Sequence, residues 1–305
     1  MHLEARLRAF AAFVRRRSFS AAAAELRISQ PAVSKHVADL ERLLGLGLVD
    51  RSRRDGTLTD AGEFIANRVL RAEALLAQAS RGAAELRTNG TGSLAIAASW
   101  LTGTYLLPAV IAEFKHIQPG VHVSLELGTA TQALDALRSH RAELGFIANA
   151  AGGPEIEVEP LLENEIAIVG KRSVVPKRLS RENLEALTWI SREEGSATRA
   201  ASDRALARLG IVPTRRLELP SYEAVLSALK RGYGVSAISR YVVADALRLR
   251  SLVVLPLRDW NVRNVVSILR VRDAMLTPAA NQFQMLTRRH FAAMKSQRLL
   301  TRRQQ

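Results

Sequence analysis

Apolar positions over the first 90 residues recur at helical spacing. Leu3, Leu7, Phe10, Phe13 and Val14 predict a first helix that closes at the basic run Arg15 to Arg17, where cations suit the negative end of a helix dipole. Ser20 is placed to cap a short second helix, Ala21 to Leu26. After a break at Arg27 to Ser29, Ser29 can cap a third helix with Pro31 in its first turn, where a missing N–H costs nothing. That helix runs to about Leu44 and is stopped by Gly45 and Gly47. Leu48 to Thr59 then predicts a two-stranded wing turning at Asp55-Gly56, a dipeptide suited to a type I′ hairpin.

From Asp60 to about Thr88 the pattern is one long helix, opened by Asp60 with Glu63 in a near capping box. Ile65, Val69, Ala72, Leu76, Ala79, Ala83 and Leu86 alternate in steps of four and three, a heptad seam that predicts pairing with a partner helix and hence a dimer interface. The same stripe would serve a helix packed against its own domain. Asn89 to Ser93 is a linker of turn-forming residues. Beyond it, strand-like runs at Leu94 to Ala98, Val121 to Leu127, Leu144 to Ala148, Ile166 to Val169, Val235 to Ser239 and Val265 to Leu269 alternate with helical stretches. Those stretches, Leu106 to Phe114, Ala200 to Leu209 and Ala224 to Lys230, complete the βαβ rhythm of a doubly wound α/β sheet. The last 20 residues carry six basic side chains and no acidic one and predict a solvated or frayed helix end. Three regions follow: 1–59, a linker helix and hinge at 60–92, and an α/β domain at 93–305.

Composition sharpens this picture. A chain of 305 residues, 48% of them hydrophobic, can bury more than one core, which excludes an intrinsically disordered protein. Lys and Arg number 44 against 29 Asp and Glu, and the formal charge of +15 favours an anionic partner such as nucleic acid. The excess does not locate a binding face, since 15 basic and 10 acidic residues fall within positions 1–90 and 29 and 19 in the remainder. Cysteine is absent, which excludes disulfides, thiol nucleophiles and Cys-ligated metals and suits a reducing cytoplasm, the expected location. No apolar run approaches the roughly 18 residues that span a bilayer, so no membrane partner is expected. Arg6, Arg8 and Arg15 to Arg17 could pass for a transit peptide, but Glu4 and Glu25 interrupt them and the apolar spacing continues through, as in a folded helix.

The motifs between Leu7 and Gly62 carry the chemistry. Phe10, Ser18-Phe19, Ala22-Ala23, Leu26, Ser29-Gln30-Pro31-Ala32-Val33-Ser34, Leu40-Glu41, Leu44-Gly45, Arg51 and Leu58-Thr59-x-Ala61-Gly62 occur in order. A short helix and turn ahead of a third helix can place that helix in a major groove about 12 Å wide, and the Gln30 amide can pair bidentately with adenine. In this stretch the chain resembles the DNA-binding region of LysR-type transcriptional regulators, with Val49 standing where the family has Phe. The resemblance implies an all-α winged helix-turn-helix in which Gln30, Pro31 and Ser34 approach bases. It also implies that Arg51 or Arg53 meets the backbone or minor groove; Lys35, one turn on from Gln30, and Arg54 of the wing are further candidate DNA contacts. The plainer alternative makes Gln30 a helix cap and the wing arginines solvated charges, and His36 suits an exposed position or a phosphate contact.

From about Ser93 to Met294 the chain resembles the LysR effector domain, an α/β two-lobed fold related to periplasmic binding proteins. Ala97-Ala98-Ser99 with Gly103 to Pro108, Gly120-Val121 with Leu125 to Thr129, and Glu194 to Arg199 carry the likeness. The third stretch is similar to the Gly-Ser-Gly-Thr-Arg segment of regulators that sense anions in sulfur and carbon assimilation, with Ala197 replacing Gly and Trp100-Leu101-Thr102 replacing a more polar run. The family implies a cleft between lobes of about 93–162 with 265–294 and about 163–264. Ser99, Thr102, Thr129, Ser196 and Thr198 would line it, with Arg199 as counter-charge. Free N–H groups and hydroxyls at helix starts suit a small anionic metabolite; the alternative is ordinary capping with Arg199 in a surface ion pair. Expected partners are promoter DNA bearing an imperfect palindrome, the effector, and further copies of the chain as dimer or tetramer. No metal or cofactor is expected.

Two other function classes fit less well. Gly232-Tyr233-Gly234-Val235-Ser236-Ala237 matches a dinucleotide fingerprint, but a helix precedes it and a strand follows, the reverse of what that motif needs. P-loop, HExxH and GxSxG motifs are absent, and the six His residues lack metal-like spacing, so an enzyme is not expected. A solute-binding protein would share the α/β fold but not the DNA-binding stretch.

Overall fold

The computed structural model describes residues 3–50, 56–88 and 92–303. They form two compact units, one reaching to Ala83 together with Ser139–Arg141 and the other comprising Ala84–Arg138 and the chain from Ala142 onward. In the first unit, α1 (Leu3–Arg16), α2 (Phe19–Leu26) and α3 (Gln30–Leu44) precede a bridged pair of extended segments and the long α4 (Asp60–Thr88). The cap of α2 is Ser18, whose hydroxyl accepts from Ala21 N, and not Ser20. The helix starts early because the Phe19 ring packs on Phe13 with centroids 4.3 Å apart. Ser29 caps α3 as expected, accepting from Ala32 N at 3.3 Å, and Gly45 ends it at φ +67°, a conformation that suits glycine.

The base of the wing is held by Val49 bridged to Leu58 and by the Glu41 carboxylate, which accepts from the N–H groups of Leu48 and Val49 at 2.8 and 3.1 Å. Gly56 has φ +72°, and a Cβ there would overlap the Arg17 carbonyl. Thr59, not Asp60, caps α4 by accepting from Gly62 N at 2.9 Å, while Glu63 pairs with Arg17 at 3.1 Å instead of closing a capping box. Phe10, Phe13, Val33, Val37, Leu40 and Leu48 form the core, joined by Ala66 and Val69 of α4. The first turns of α4 therefore belong to this unit, and the boundary expected at residue 59 moves into the helix.

The second unit runs β1 (Ser93–Ser99), α5 (Trp100–Tyr105), α6 (Leu107–Ile117), β2 (His122–Gly128), α7 (Ala130–Arg138), β3 (Leu144–Ala148) and β4 (Ile156–Gly170). It continues through α8 (Arg181–Glu185), β5 (Thr188–Arg192), α9 (Ala197–Arg208), β6 (Arg215–Leu219), α10 (Tyr222–Lys230) and β7 (Val235–Ser239). It closes with α11 (Ala244–Arg248), β8 (Val253–Val254), β9 (Val262–Val271) and α12 (Pro278–Arg303). Among the described residues the strands lie in the order β2-β1-β3-β9-β4-β7-β5-β6, with β8 beside β4. β1 is parallel to β2 and β3, and β5 to β6 and β7, whereas β4 and β9 are antiparallel along their length, with a register shift between Pro160 and Leu162. The two parallel groups thus form two half-sheets, or lobes, joined by the β4/β9 pair.

Phe283 of α12 stands edge-on to Phe114 and Phe146, at 5.3 and 6.1 Å, in the core of the first lobe. The last 20 residues are consequently not frayed where Leu286 and Phe291 are buried; their basic residues had obscured an apolar stripe on the inner face. No described helix is long and apolar enough to cross a membrane.

Candidate DNA-reading face and effector cleft

Val33, Val37 and Leu40 are buried and fix the inner face of α3, which leaves its first turns outward. Gln30, Pro31 and Lys35 are exposed there and Ser34 is half-buried. With Ser29 serving as cap, the Gln30 amide is not used to close the helix. Arg51, Arg53 and Arg54 lie outside the described residues. The seam of α4 divides: Val69 is 7% exposed and Ile65 packs beside it in the core of the first unit, whereas Leu76 is 68% exposed and Ala72, Ala79 and Ala83 are open. Ile65 and Val69 are thereby corrected from interface to core, because the helix spends its first turns covering its own unit. The Leu86 side chain lies outside the description.

In the second unit several strands end together. Ser99 closes β1, Gly128 closes β2, Ala148 closes β3 and Arg192 closes β5, and α5, α7 and α9 start from Ser99, Thr129 and Ser196 or just beyond them. Sheets of this kind bind ligands at the carboxyl ends of their strands. Here a cleft of about 450 Å³ opens, lined by Ser99, Trp100, Thr129, Arg192, Ser196 and Thr198 together with Glu193 and Tyr222. First-turn N–H groups have no partner within their own helix, and each helix start carries the positive end of a dipole. Some of this capacity is used locally. Thr129 N donates to Gln132 Oε1 at 2.8 Å and Gln132 N to Thr129 Oγ1 at 3.2 Å, a reciprocal cap, and Ser196 Oγ accepts from Arg199 N.

The charge in the cleft is Arg192. It is 5% exposed, donates from Nε and Nη2 to the Glu193 carboxylate at 2.6 Å each, and lies 4.2 Å above the centre of the Tyr222 ring. The Tyr222 hydroxyl meets Thr198 Oγ1 at 3.1 Å, and burial raises its pKa. Tyr222 stands edge-on to Tyr105 of α5, which donates to Glu223 Oε1 at 3.0 Å and so ties α5 to α10. Burial first, and then that hydrogen bond, push the Tyr105 phenol well above its ordinary range. The Glu223 carboxyl is held low by its own backbone N–H and then, against burial, by Tyr105.

Two expected cleft residues are placed elsewhere. Thr102 is fully buried, its hydroxyl 2.6 Å from the Phe146 carbonyl and 2.9 Å from that of Ser99, so it fastens α5 to β3 and does not line the cleft. Arg199 faces β6, where it pairs with Glu218, the main cause of its raised pKa, and lies 3.7 Å from Asp203. The arginine that lines the cleft is Arg192. Sequence reasoning missed Arg192 and Tyr222; the available signal was the Trp189-Ile190-Ser191-Arg192 run ahead of the Gly195-Ser196 turn, readable as a strand delivering a charge to a helix start. Among the described residues no cluster of His, Asp or Glu is disposed to hold a metal.

Residues 5–63 match the model of the bacterial regulatory helix-turn-helix protein, lysR family, and residues 87–292 match the LysR substrate binding domain. The chain belongs to the LysR family of transcriptional regulators. This LysR regulator is 30% identical to the HTH-type transcriptional regulator CysL of Bacillus subtilis over 264 residues, 86% of this chain and 88% of that one. Its fold resembles CbnR in complex with its target DNA, with a TM-score of 0.68 at 22% identity, covering 93% of this chain and 98% of that one. The regulatory domain of CcmR from Synechocystis PCC6803, in complex with 2-PG, superposes with a TM-score of 0.59 at 22% identity, covering 65% of this chain and 97% of that one. A helix-turn-helix of the lysR family and a LysR substrate binding domain are thus joined in one chain.

Proposed function

We propose that this regulator acts in the cytoplasm, without catalysis, as a dimer or tetramer whose DNA affinity or bending is set by a small anionic metabolite held between the two lobes. Gln30 and Ser34 read bases, Lys35 and the wing arginines meet phosphates, and the exposed part of the α4 seam from Ala72 onward joins subunits. The observation that carries the ligand class is the convergence of three helix starts and the buried Arg192 on one cleft whose sole carboxylate, Glu193, is already engaged by that arginine. Partial positive charge at helix starts and a forked guanidinium favour a carboxylate, sulfur oxyanion or phosphate over a neutral compound. A ligand alters transcription insofar as it favours one lobe arrangement over another.

Calorimetry on the full chain with panels of anionic and neutral metabolites, 2-PG among them, tests this reading. Loss of a charge-assisted contact is typically about 1.5–3 kcal/mol, so Arg192→Gln and Thr129→Val should each weaken the anion by roughly ten-fold or more, and Arg199→Gln should leave it nearly unchanged. A tight neutral or cationic ligand, or binding indifferent to Arg192→Gln, would refute the assignment.

A further inference from the structure

The loop 171–178 joins β4 to α8, and the turn 231–234 joins α10 to β7. Because Gly170 is in register with Val235, both turns lie at the same end of the antiparallel β4/β7 pair. Each is built firmly. Val174 N and Val175 N converge on the Lys171 carbonyl at 2.9 and 3.3 Å, and Gly232, at φ +79°, donates to Leu229 O at 2.9 Å. A Cβ at Gly232 would meet Val174 Cγ2 at 3.4 Å and Lys171 Cδ at 3.5 Å, so the two turns touch.

On this frame Lys171, Arg172, Lys177, Arg178, Lys230 and Arg231 are all exposed. Arg231 bonds to Ser227, but none of the six has a carboxylate partner among the described residues, and positions 171–178 contain no acidic residue. Other arginines of the unit are paired, Arg263 of β9 with Glu163, Arg240 with Glu165 and, next to the patch, Arg181 of α8 with Glu185. Tyr233, 65% exposed, lies in the same turn as Arg231. Like charges fixed together repel, and a regular line of negative charge relieves the repulsion while releasing its own counterions. Duplex DNA presents about one charge per 1.7 Å of axis, and a protein already docked on DNA holds its remaining surfaces at high effective concentration near that polyanion.

We propose that this patch on the second lobe is a DNA-contacting surface separate from α3, gripping the phosphate backbone without sequence preference. Its contribution is electrostatic, so it adds affinity and salt dependence but no base discrimination.

The test uses the full chain, a mixed-sequence duplex of about six helical turns (~60 base pairs), and dissociation constants measured across a range of NaCl concentrations. The variants are K171Q/R172Q/K177Q/R178Q and, independently, K230Q/R231Q. Each lost phosphate contact should lower the salt slope by about 0.9, and the quadruple variant should bind roughly ten-fold or more weakly at the lowest salt, the double variant shifting in the same direction. Sequences selected from a random duplex pool should match those of the wild type. An unchanged salt slope in both variants would overturn the proposal, as would altered sequence preference. Loss of an acidic protein partner with DNA binding intact would assign the surface to protein instead. Should the quadruple variant melt earlier than the wild type, the double variant alone decides.

Discussion

Gln30 leaves the first turn of α3 with its amide unspent because Ser29, beside it, takes the capping role. A free carboxamide at the exposed start of a recognition helix can make a bidentate pair with one base, worth about 1–3 kcal/mol of discrimination, whereas an ammonium adds only backbone affinity. Gln30→Ala is therefore expected to relax preference at one position of sites selected from random duplexes, and Lys35→Gln to weaken all sequences alike. Unaltered selection by the Gln30→Ala protein would move the reading role to another side chain. Such residues are legible in a sequence because capping and exposure at a helix start are local properties. Arg192 was legible only as the end of a strand-like run, since its place in the cleft depends on β5 reaching it, on Glu193 turning back to meet it, and on Tyr222 arriving from another helix. Thr102 misled for the converse reason: its hydroxyl suits a ligand chemically, but the nearby Phe146 carbonyl claims it.

The α4 helix shows the same division over a longer span. Its heptad pattern and bounds are plain in the sequence, yet the pattern cannot say which turns cover the helix's own unit. Val69 lies in the core and Leu76 outside it, so one chemical change should have two outcomes. Val69→Asp buries an uncompensated charge and is expected to lower the melting temperature sharply. Leu76→Asp should leave folding intact and shift sedimentation toward smaller species. Intact assembly with Leu76→Asp would remove α4 from the interface. Caps slipped by a residue or two, from Ser20 to Ser18 and from Asp60 to Thr59, because competing hydroxyl and carboxylate side chains adjoin each start and packing chooses among them. The strand β6 escaped notice because Arg215-Arg216-Leu217-Glu218-Leu219 is half polar at a sheet edge and its pairing with β5 is non-local. β4 begins ten residues before the expected Ile166, through a stretch where Glu157, Glu159, Glu163 and Glu165 masked its strand character.

Across the whole α/β unit, the β4/β9 pair binds both lobes, and its interior carries a polar knot. Asn164 and Asn264 face each other in register, Asn164 Nδ2 donating to Asn264 Oδ1 at 2.7 Å, and Ser239 donates to Asn164 Oδ1 at 2.5 Å, all three residues buried. Asn164→Leu takes the acceptor from the Ser239 hydroxyl, whose oxygen still accepts from Tyr241 N, and strands the Asn264 amide, whose Nδ2 already lacks a partner. A loss of about 2 kcal/mol or more is expected in urea unfolding, with partial recovery in Asn164→Leu/Asn264→Leu; a double variant less stable than the single would contradict this account. Alternating strands and helices made the α/β class legible, but nothing in the pattern marks β9 as the strand both lobes share. That sharing also has a meaning in time. Asn164 and Asn264 are 100 residues apart, so β3 and β4 leave the ribosome long before the strand that separates them exists. At roughly 5–20 residues per second the nascent chain waits about 5–20 seconds with open edges on both strands. Each lobe keeps one strand edge unpaired until synthesis has passed Val271.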